Sequence, residues 1–241
     1  MPARGFFICG TDTGVGKTYS AAILVRTLAH AGWRVAVMKP VAAGASTTAE
    51  GLRNDDALAL AAAANVAADY HTVNPCCLAA PVSPHLAALE AGVRIEIEPI
   101  LRSFRAQAAR ADCVIVEGAG GWLAPIDPDR TMADIACALG LPVILVVGLR
   151  LGCLNHAQLS MRAIRASGLP LAGWIANHID PALERASENV ATLTHLLGAE
   201  PLLQLPWAAQ AAGSAPGIAA PSAGAALVQR LSRYPPVHPV G

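Results

Sequence analysis

Along the chain, short unbroken runs of apolar residues alternate with longer segments whose apolar positions recur at helical spacing. Gly5 to Cys9 is the first run, and SAAILVRTLAHAG after it reads as a helix closing at Ala31-Gly32. Trp33 to Met38 predicts a second strand, and ALALAAAANVAA, entered through Asp55 and Asp56, a second helix. Residues 70 to 92 are rich in proline and turn signals, so a loop crossing the sheet is expected there, followed by a helix from Ser83. A helix over residues 97 to 110 leads into a strand from Cys113 to Val116 that ends in Glu117. Then come a helix from Met132 to Leu139, a strand from Pro142 to Gly148, and a helix opened by the segment from Arg150 to His156. The strand Leu171 to Asn177, a helix from Ala182 to Leu197 and a last strand closed by Pro206 and Trp207 complete the pattern. Beyond Ala208 the chain turns Ala/Gly/Pro/Ser-rich, with one short helix expected near Ala225 to Arg233 and a disordered tail over residues 234 to 241.

Unbroken apolar strands alternating with helices predict an α/β fold, a mostly parallel sheet covered by helices on both faces through right-handed crossovers. No repeat or linker divides the chain, so residues 1 to 241 are expected to form a single domain.

The junction between the first strand and the first helix, TDTGVGKT, carries the clearest chemistry. A glycine-rich loop can turn its backbone N–H groups inward, and the helix behind it adds unpaired N–H groups and the positive end of its dipole. Lys17 would then reach the β/γ-phosphates and the Thr18 hydroxyl would ligate Mg²⁺. The strict GxxxxGK spacing would place its first glycine at Thr11, whereas the glycine stands at Gly10, so this is a variant with one extra residue. Strand, loop and helix in that order make a P-loop NTPase-like fold the expectation.

Candidate partners for that loop lie where other strands end, because ligands of open α/β sheets sit beyond the carboxyl ends of the strands. Lys39 closes the second strand, and it reads either as a substrate or phosphate contact or as a solvated lysine. Asp55 and Asp56 either cap their helix or send a carboxylate to Mg²⁺. Glu117 is followed by Gly118, Gly120 and Gly121, an acid that can bind a metal next to glycines that let a ligand approach the backbone. The helix start near Gly152 offers N–H groups to an anion, and Asn177 has an amide able to pair with a base edge. His85, in the first turn of its helix, is read as structural.

Composition narrows the class. The residues are 54% hydrophobic and 14% charged, with zero formal net charge and no basic run, which argues against nucleic acid or an anionic membrane surface as a partner. No signal-peptide core precedes the loop, and the stretch from Met132 to Leu149 is broken by Asp134, Gly140 and Pro142, so no membrane span is expected. Six cysteines lack metal-type spacing and read as buried free thiols of a cytoplasmic protein.

Taken together, GTDTGVGKT, KPVAAG, EGLRNDDALAL, TVNP, SPH, VEGAGGW, PVILVVGLRLGCLNHA, LAGWIAN and LPW resemble the dethiobiotin synthetase family over positions 5 to about 208. The resemblance implies a cytoplasmic ligase that closes the ureido ring of dethiobiotin from 7,8-diaminononanoate, CO₂ and ATP with Mg²⁺, through a carbamic-phosphoric anhydride. It implies that Lys17 and Lys39 stabilise charge on the carbamate and the transferring phosphoryl group. Thr18, Asp56 and Glu117 would hold the metal. Gly14, Val15, Gly16, Tyr19, Gly118, Ala119 and Gly120 would surround the nucleotide, whose base would meet Asn177, His178, Pro206, Trp207 and Ala208. Thr11, Lys39 and Ala43 would contact the diamine, and Gly152, Cys153, Leu154 and Asn155 would receive its carboxylate across a homodimer interface. Some relatives carry serine at Ala43, so a weaker hold on the diamine is expected. The rival class with a similar loop, switch ATPases that partition DNA or place division sites, has a signature lysine early in the loop, where Asp12 stands here.

Overall fold

A computed structural model of the chain describes residues 3–207 and 221–237. The elements run β1 (Arg4–Gly10), α1 (Lys17–His30), β2 (Val35–Met38), β3 (Val41–Ala42), β4 (Ser46–Thr48), β5 (Gly51–Arg53), α2 (Asp55–Ala63), α3 (Tyr70–Val73), β6 (Cys76–Cys77), α4 (Pro84–Glu90) and α5 (Ile97–Ala108). They continue through β7 (Cys113–Gly121), α6 (Met132–Leu139), β8 (Val143–Leu149), α7 (Cys153–Ala166), β9 (Leu171–His178), α8 (Ala186–Leu197), β10 (Leu203–Leu205) and α9 (Pro221–Leu231).

Six strands form one sheet in the order β10-β9-β8-β1-β7-β2, and every pairing in it is parallel. The apolar runs are unbroken because both faces are covered. Side chains of β1 alternate, with Phe6 and Ile8 in a cluster that includes residues of α1, α2 and α9, and Phe7 and Cys9 in one that includes residues of α4 to α8. Among the described residues, no helix is long and apolar enough to cross a membrane.

Several elements depart from the sequence pattern. The strand expected to end at Glu117 continues to Gly121, and its register against β1 slips: Ile8 pairs with Glu117 and Gly10 with Gly121. Two steps on one strand therefore span four on the other. This bulge turns the glycine segment toward the site, and it needs Gly118, where a Cβ would stand 2.9 Å from the Phe7 ring. The cap of α2 is Asn54, whose side chain accepts from the Ala57 N–H, and not Asp55 or Asp56. Helix α8 starts four residues later than its apolar spacing suggests, after Arg185 in the left-handed region at φ 56°. The cysteines are free, but only Cys9, Cys113 and Cys153 are buried, while Cys137 is exposed.

Residues 234 to 237 pack back on the start of β1. Tyr234 sets its ring edge-on to Phe6 at 5.8 Å and donates its hydroxyl to the Leu171 carbonyl, while the Val237 N–H donates to Ala3 at 2.7 Å. An aromatic ring that finds an apolar partner at the base of β1 outweighs the flexibility of its Pro-rich neighbours. Positions 208–220 and 238–241 lie outside the described residues. Tyr234→Ala should lower the unfolding free energy by about 1–3 kcal/mol. A urea midpoint equal to that of the parent protein would show that this closing contact contributes nothing.

Candidate active site

At the carboxyl edge of the sheet, β1 runs into a loop in which Gly14 and Gly16 take φ values of 74° and 80°. Only glycine adopts these angles without strain. Gly16 is also the cap position of α1, with no side chain capping it, so the first-turn amides stay available to an anion. A Cβ on Gly16 would run into the Asn177 amide, which donates to the Val15 carbonyl at 2.9 Å and ties the loop to β9. Lys17 folds back over the loop and donates to the Asp12 carbonyl at 3.1 Å. Arg150, beyond β8, pairs with the Asp12 carboxylate at 2.5 Å and braces the other side.

Beside the loop, two neighbouring strands deliver a lysine and a glutamate to one point. Lys39, 3% exposed, follows β2, and Glu117, 0% exposed, lies on β7. The Lys39 Nζ donates to Glu117 Oε1 at 2.5 Å and to Asp56 Oδ2 at 3.1 Å. The Thr18 hydroxyl donates to the same Glu117 oxygen at 2.9 Å. Of the two readings open for Lys39, the solvated one therefore falls. Burial pulls the Lys39 ammonium toward neutrality, but Glu117 and Asp56 outweigh it and hold its pKa above the usual lysine value. Burial acts on Asp56 in the opposite sense, and Lys39 with the Thr18 hydroxyl keeps that carboxyl below its ordinary range. Lys17 goes the other way: burial, then repulsion by Lys39, lowers its pKa.

Over this cluster lies a cleft of about 930 Å³ lined by Gly14, Gly16, Lys17, Thr18, Tyr19, Lys39, Ala43, Asp56, Glu117, Ala119 and Gly120. A second cavity of about 230 Å³ shares Gly14, Gly16 and Tyr19 with it and extends to Asn177, His178, Pro206 and the half-exposed Trp207. Residues expected to act together from five separate strands thus meet in two hollows that share a wall.

Comparison with known proteins points the same way. The family model described as an AAA domain matches residues 4–214. The ATP-dependent dethiobiotin synthetase of Xanthomonas axonopodis pv. citri is 48% identical over 223 residues, covering 92% of this chain and 100% of the relative. The protein of the same name from Pseudomonas paraeruginosa is 50% identical over 216 residues, covering 89% and 94%.

The chain belongs to the dethiobiotin synthetase family. It is thus a ligase by family, and its fold is more widely shared. A ParA family ATPase from Chlorobium tepidum superposes with a TM-score of 0.55 at 15% identity, covering 95% of each chain. The MinD cell division protein of Aquifex aeolicus gives 0.54 at 17% identity, covering 86% of this chain and 84% of its own. Identities this low speak for a common P-loop α/β fold alone.

Not every residue assigned from the family pattern lines these hollows. Thr11 spends its N–H on the Val146 carbonyl, Val15 is buried in the core, and Gly118 sits behind the cleft with its carbonyl 3.5 Å from Lys39. Gly152, Cys153, Leu154 and Asn155 open α7 outside both cavities of their own chain. Ala208 lies outside the described residues. The wall formed by Pro81, Val82, Ser83 and Pro84, and the contributions of Thr13 and Asn54, were missed. The turn signals around Pro81 and Pro84 marked a loop, but nothing local said that it folds over the cleft.

A divalent cation fits the donors present. Glu117 Oε2 is buried without a hydrogen-bond partner, and the Thr18 hydroxyl and the Asp56 carboxylate stand close by, an all-oxygen set suited to Mg²⁺. Among the described residues no three His, Cys, Asp or Glu side chains converge to hold a metal ion by themselves, so a metal here would rely on phosphate oxygens for the rest of its shell. Because the folded pKa of Asp56 is depressed, its contribution to stability is full above about pH 4 and is lost as pH falls through the folded value. Asp56→Asn should make the acid limb of a urea-unfolding series shallower below about pH 4. An unaltered limb would remove Asp56 from the cluster.

Proposed function

We propose that this protein closes the ureido ring of dethiobiotin, using 7,8-diaminononanoate, CO₂ and ATP with Mg²⁺. The observation that carries the reading is the pair of adjoining cavities, one over the phosphate loop and the Lys39 cluster, the other ending in Asn177 and Trp207. The triphosphate belongs in the first and the base in the second. The high identity to named synthetases over nearly the whole chain supports the same assignment.

One amine of the diamine adds to CO₂ and loses a proton to give a carbamate. A carbamate oxygen attacks the γ-phosphorus and ADP leaves, forming a carbamic-phosphoric anhydride. The second amine then attacks the carbamoyl carbon, the ring closes and phosphate departs. The substrate supplies both nucleophiles, so the protein's part is positioning and charge neutralisation. First-turn amides of α1 hold phosphate oxygens, Lys17 crosses to the transferring group, and Lys39 offsets charge on the carbamate. Thr18, Asp56 and Glu117 hold Mg²⁺, which when bound neutralises charge gathering on the phosphate oxygens. Ala43 lines the diamine side of the cleft, and Gly152 to Asn155, at the start of α7, receive the substrate carboxylate of a second copy in a homodimer. The cytoplasm is the compartment that fits these reactants.

Purified protein mixed with diaminononanoate, bicarbonate, ATP and Mg²⁺ should yield a cyclic urea by mass detection, together with ADP and phosphate. Lys17→Ala should lower kcat by about 10²–10³-fold, and Glu117→Gln should raise the half-saturating Mg²⁺ concentration by about tenfold. ATP turnover stimulated by DNA but not by the diamine would refute the assignment.

A further inference from the structure

Asn54, Tyr70 and Asn74 form one hydrogen-bond network beside the charged cluster, joined at Asn54 through its backbone N–H. Asn74, 0% exposed, donates its amide to the Lys39 carbonyl at 2.7 Å and to the Cys76 carbonyl at 3.2 Å. Its Oδ1 accepts from the Tyr70 hydroxyl at 3.0 Å. That same hydroxyl accepts from the Asn54 N–H at 2.7 Å. Asn54 in turn caps α2 through the Ala57 N–H and donates its amide to the Ala43 carbonyl at 3.2 Å.

The network spans the two segments whose side chains must meet. One end grips the backbone of Lys39, and the other fixes the first turn of α2, which carries Asp56 two residues beyond the cap. The Tyr70 phenol sits between them as both donor and acceptor, and Arg53 lies over its ring at 4.3 Å. Two buried amides joined through one half-buried phenol leave little freedom to the backbone at either end, so this brace helps set the spacing from Lys39 to Asp56.

We infer that Asn54, Tyr70 and Asn74 are positioning residues that hold Asp56 at the proper distance from Lys39 and Glu117 to ligate the metal. Its catalytic meaning rests on the proposed role of Asp56 as a metal ligand. Tyr70 touches no reacting atom. Removing its hydroxyl leaves the ring and the Arg53 contact in place, but breaks the link that runs from the start of α2 through Asn74 to the Lys39 carbonyl.

The test compares the parent protein with Tyr70→Phe, Asn54→Ala, Asn54→Asp and Asp56→Asn. Three quantities are read: Mn²⁺ affinity in the presence of ADP by electron paramagnetic resonance, the Mg²⁺ dependence of turnover, and Tm. Asp56→Asn weakens Mn²⁺ binding if the ligand assignment holds. In the parent protein, Tyr70→Phe should weaken it by roughly tenfold with kcat at saturating Mg²⁺ much less affected, and Asn54→Ala should weaken it in the same direction. Asn54→Asp, which keeps an acceptor for the Ala57 N–H but loses the donor to the Ala43 carbonyl, should recover part of the loss. Weakened binding in Asp56→Asn with parental binding in Tyr70→Phe would overturn the brace while leaving the ligand assignment intact. Parental binding in Asp56→Asn would overturn both. A lower Tm in Tyr70→Phe with unchanged metal affinity would assign the network to stability alone.

Discussion

The structure depends on one expensive arrangement, a lysine ammonium and a glutamate carboxylate withdrawn from water at the centre of the sheet's carboxyl edge. Each ion loses several kcal/mol of hydration on burial, and a lone pair of this kind adds little to stability. Lys39 and Glu117 are nonetheless held at 2.5 Å, with Asp56 and Thr18 as further partners. One carboxylate oxygen is still left over. A cluster short of one partner, at the floor of a cleft, is built to receive something that brings charge of its own.

The rest of the fold keeps that cluster in place. Parallel strands bring β2 and β7 side by side, so Lys39 and Glu117 emerge at one end of adjacent strands. The neighbouring strand β1 delivers the loop, and its glycines permit backbone angles that aim amides into the cleft. Formal charges of Lys17, Lys39, Asp56 and Glu117 cancel, so the site is neutral before a polyanion and a divalent cation arrive together. The second hollow lies further along the same edge, past β8, where β9 and β10 end.

Much of this was legible in the sequence because it is encoded locally. Unbroken apolar runs announced strands buried on both faces, and TDTGVGKT announced the loop with its lysine and threonine. Glu117 stood out as an acid at the end of an apolar strand. What escaped is set by contacts across the chain. Whether Lys39 is solvated depends on Glu117, 78 residues away, and the order of Tyr234 depends on a ring at Phe6. Asn54 and Asn74 are unremarkable as letters, and only the return of residues 70 to 78 beside Lys39 makes them a network. The hairpin of β4 and β5 and the two-residue strands β3 and β6 were too short to register as periodic.

A crystal structure with Mg²⁺ and a non-hydrolysable ATP analogue tests the central claim most directly. The account predicts triphosphate oxygens at about 2.7–3.1 Å from amides between Gly14 and Tyr19, and a metal at about 2.0–2.1 Å from the Thr18 hydroxyl with Glu117 and Asp56 in its shell. The base should lie against Asn177 and Trp207. A nucleotide bound elsewhere, with Lys39, Asp56 and Glu117 still closed on one another and no metal beside Thr18, would contradict it.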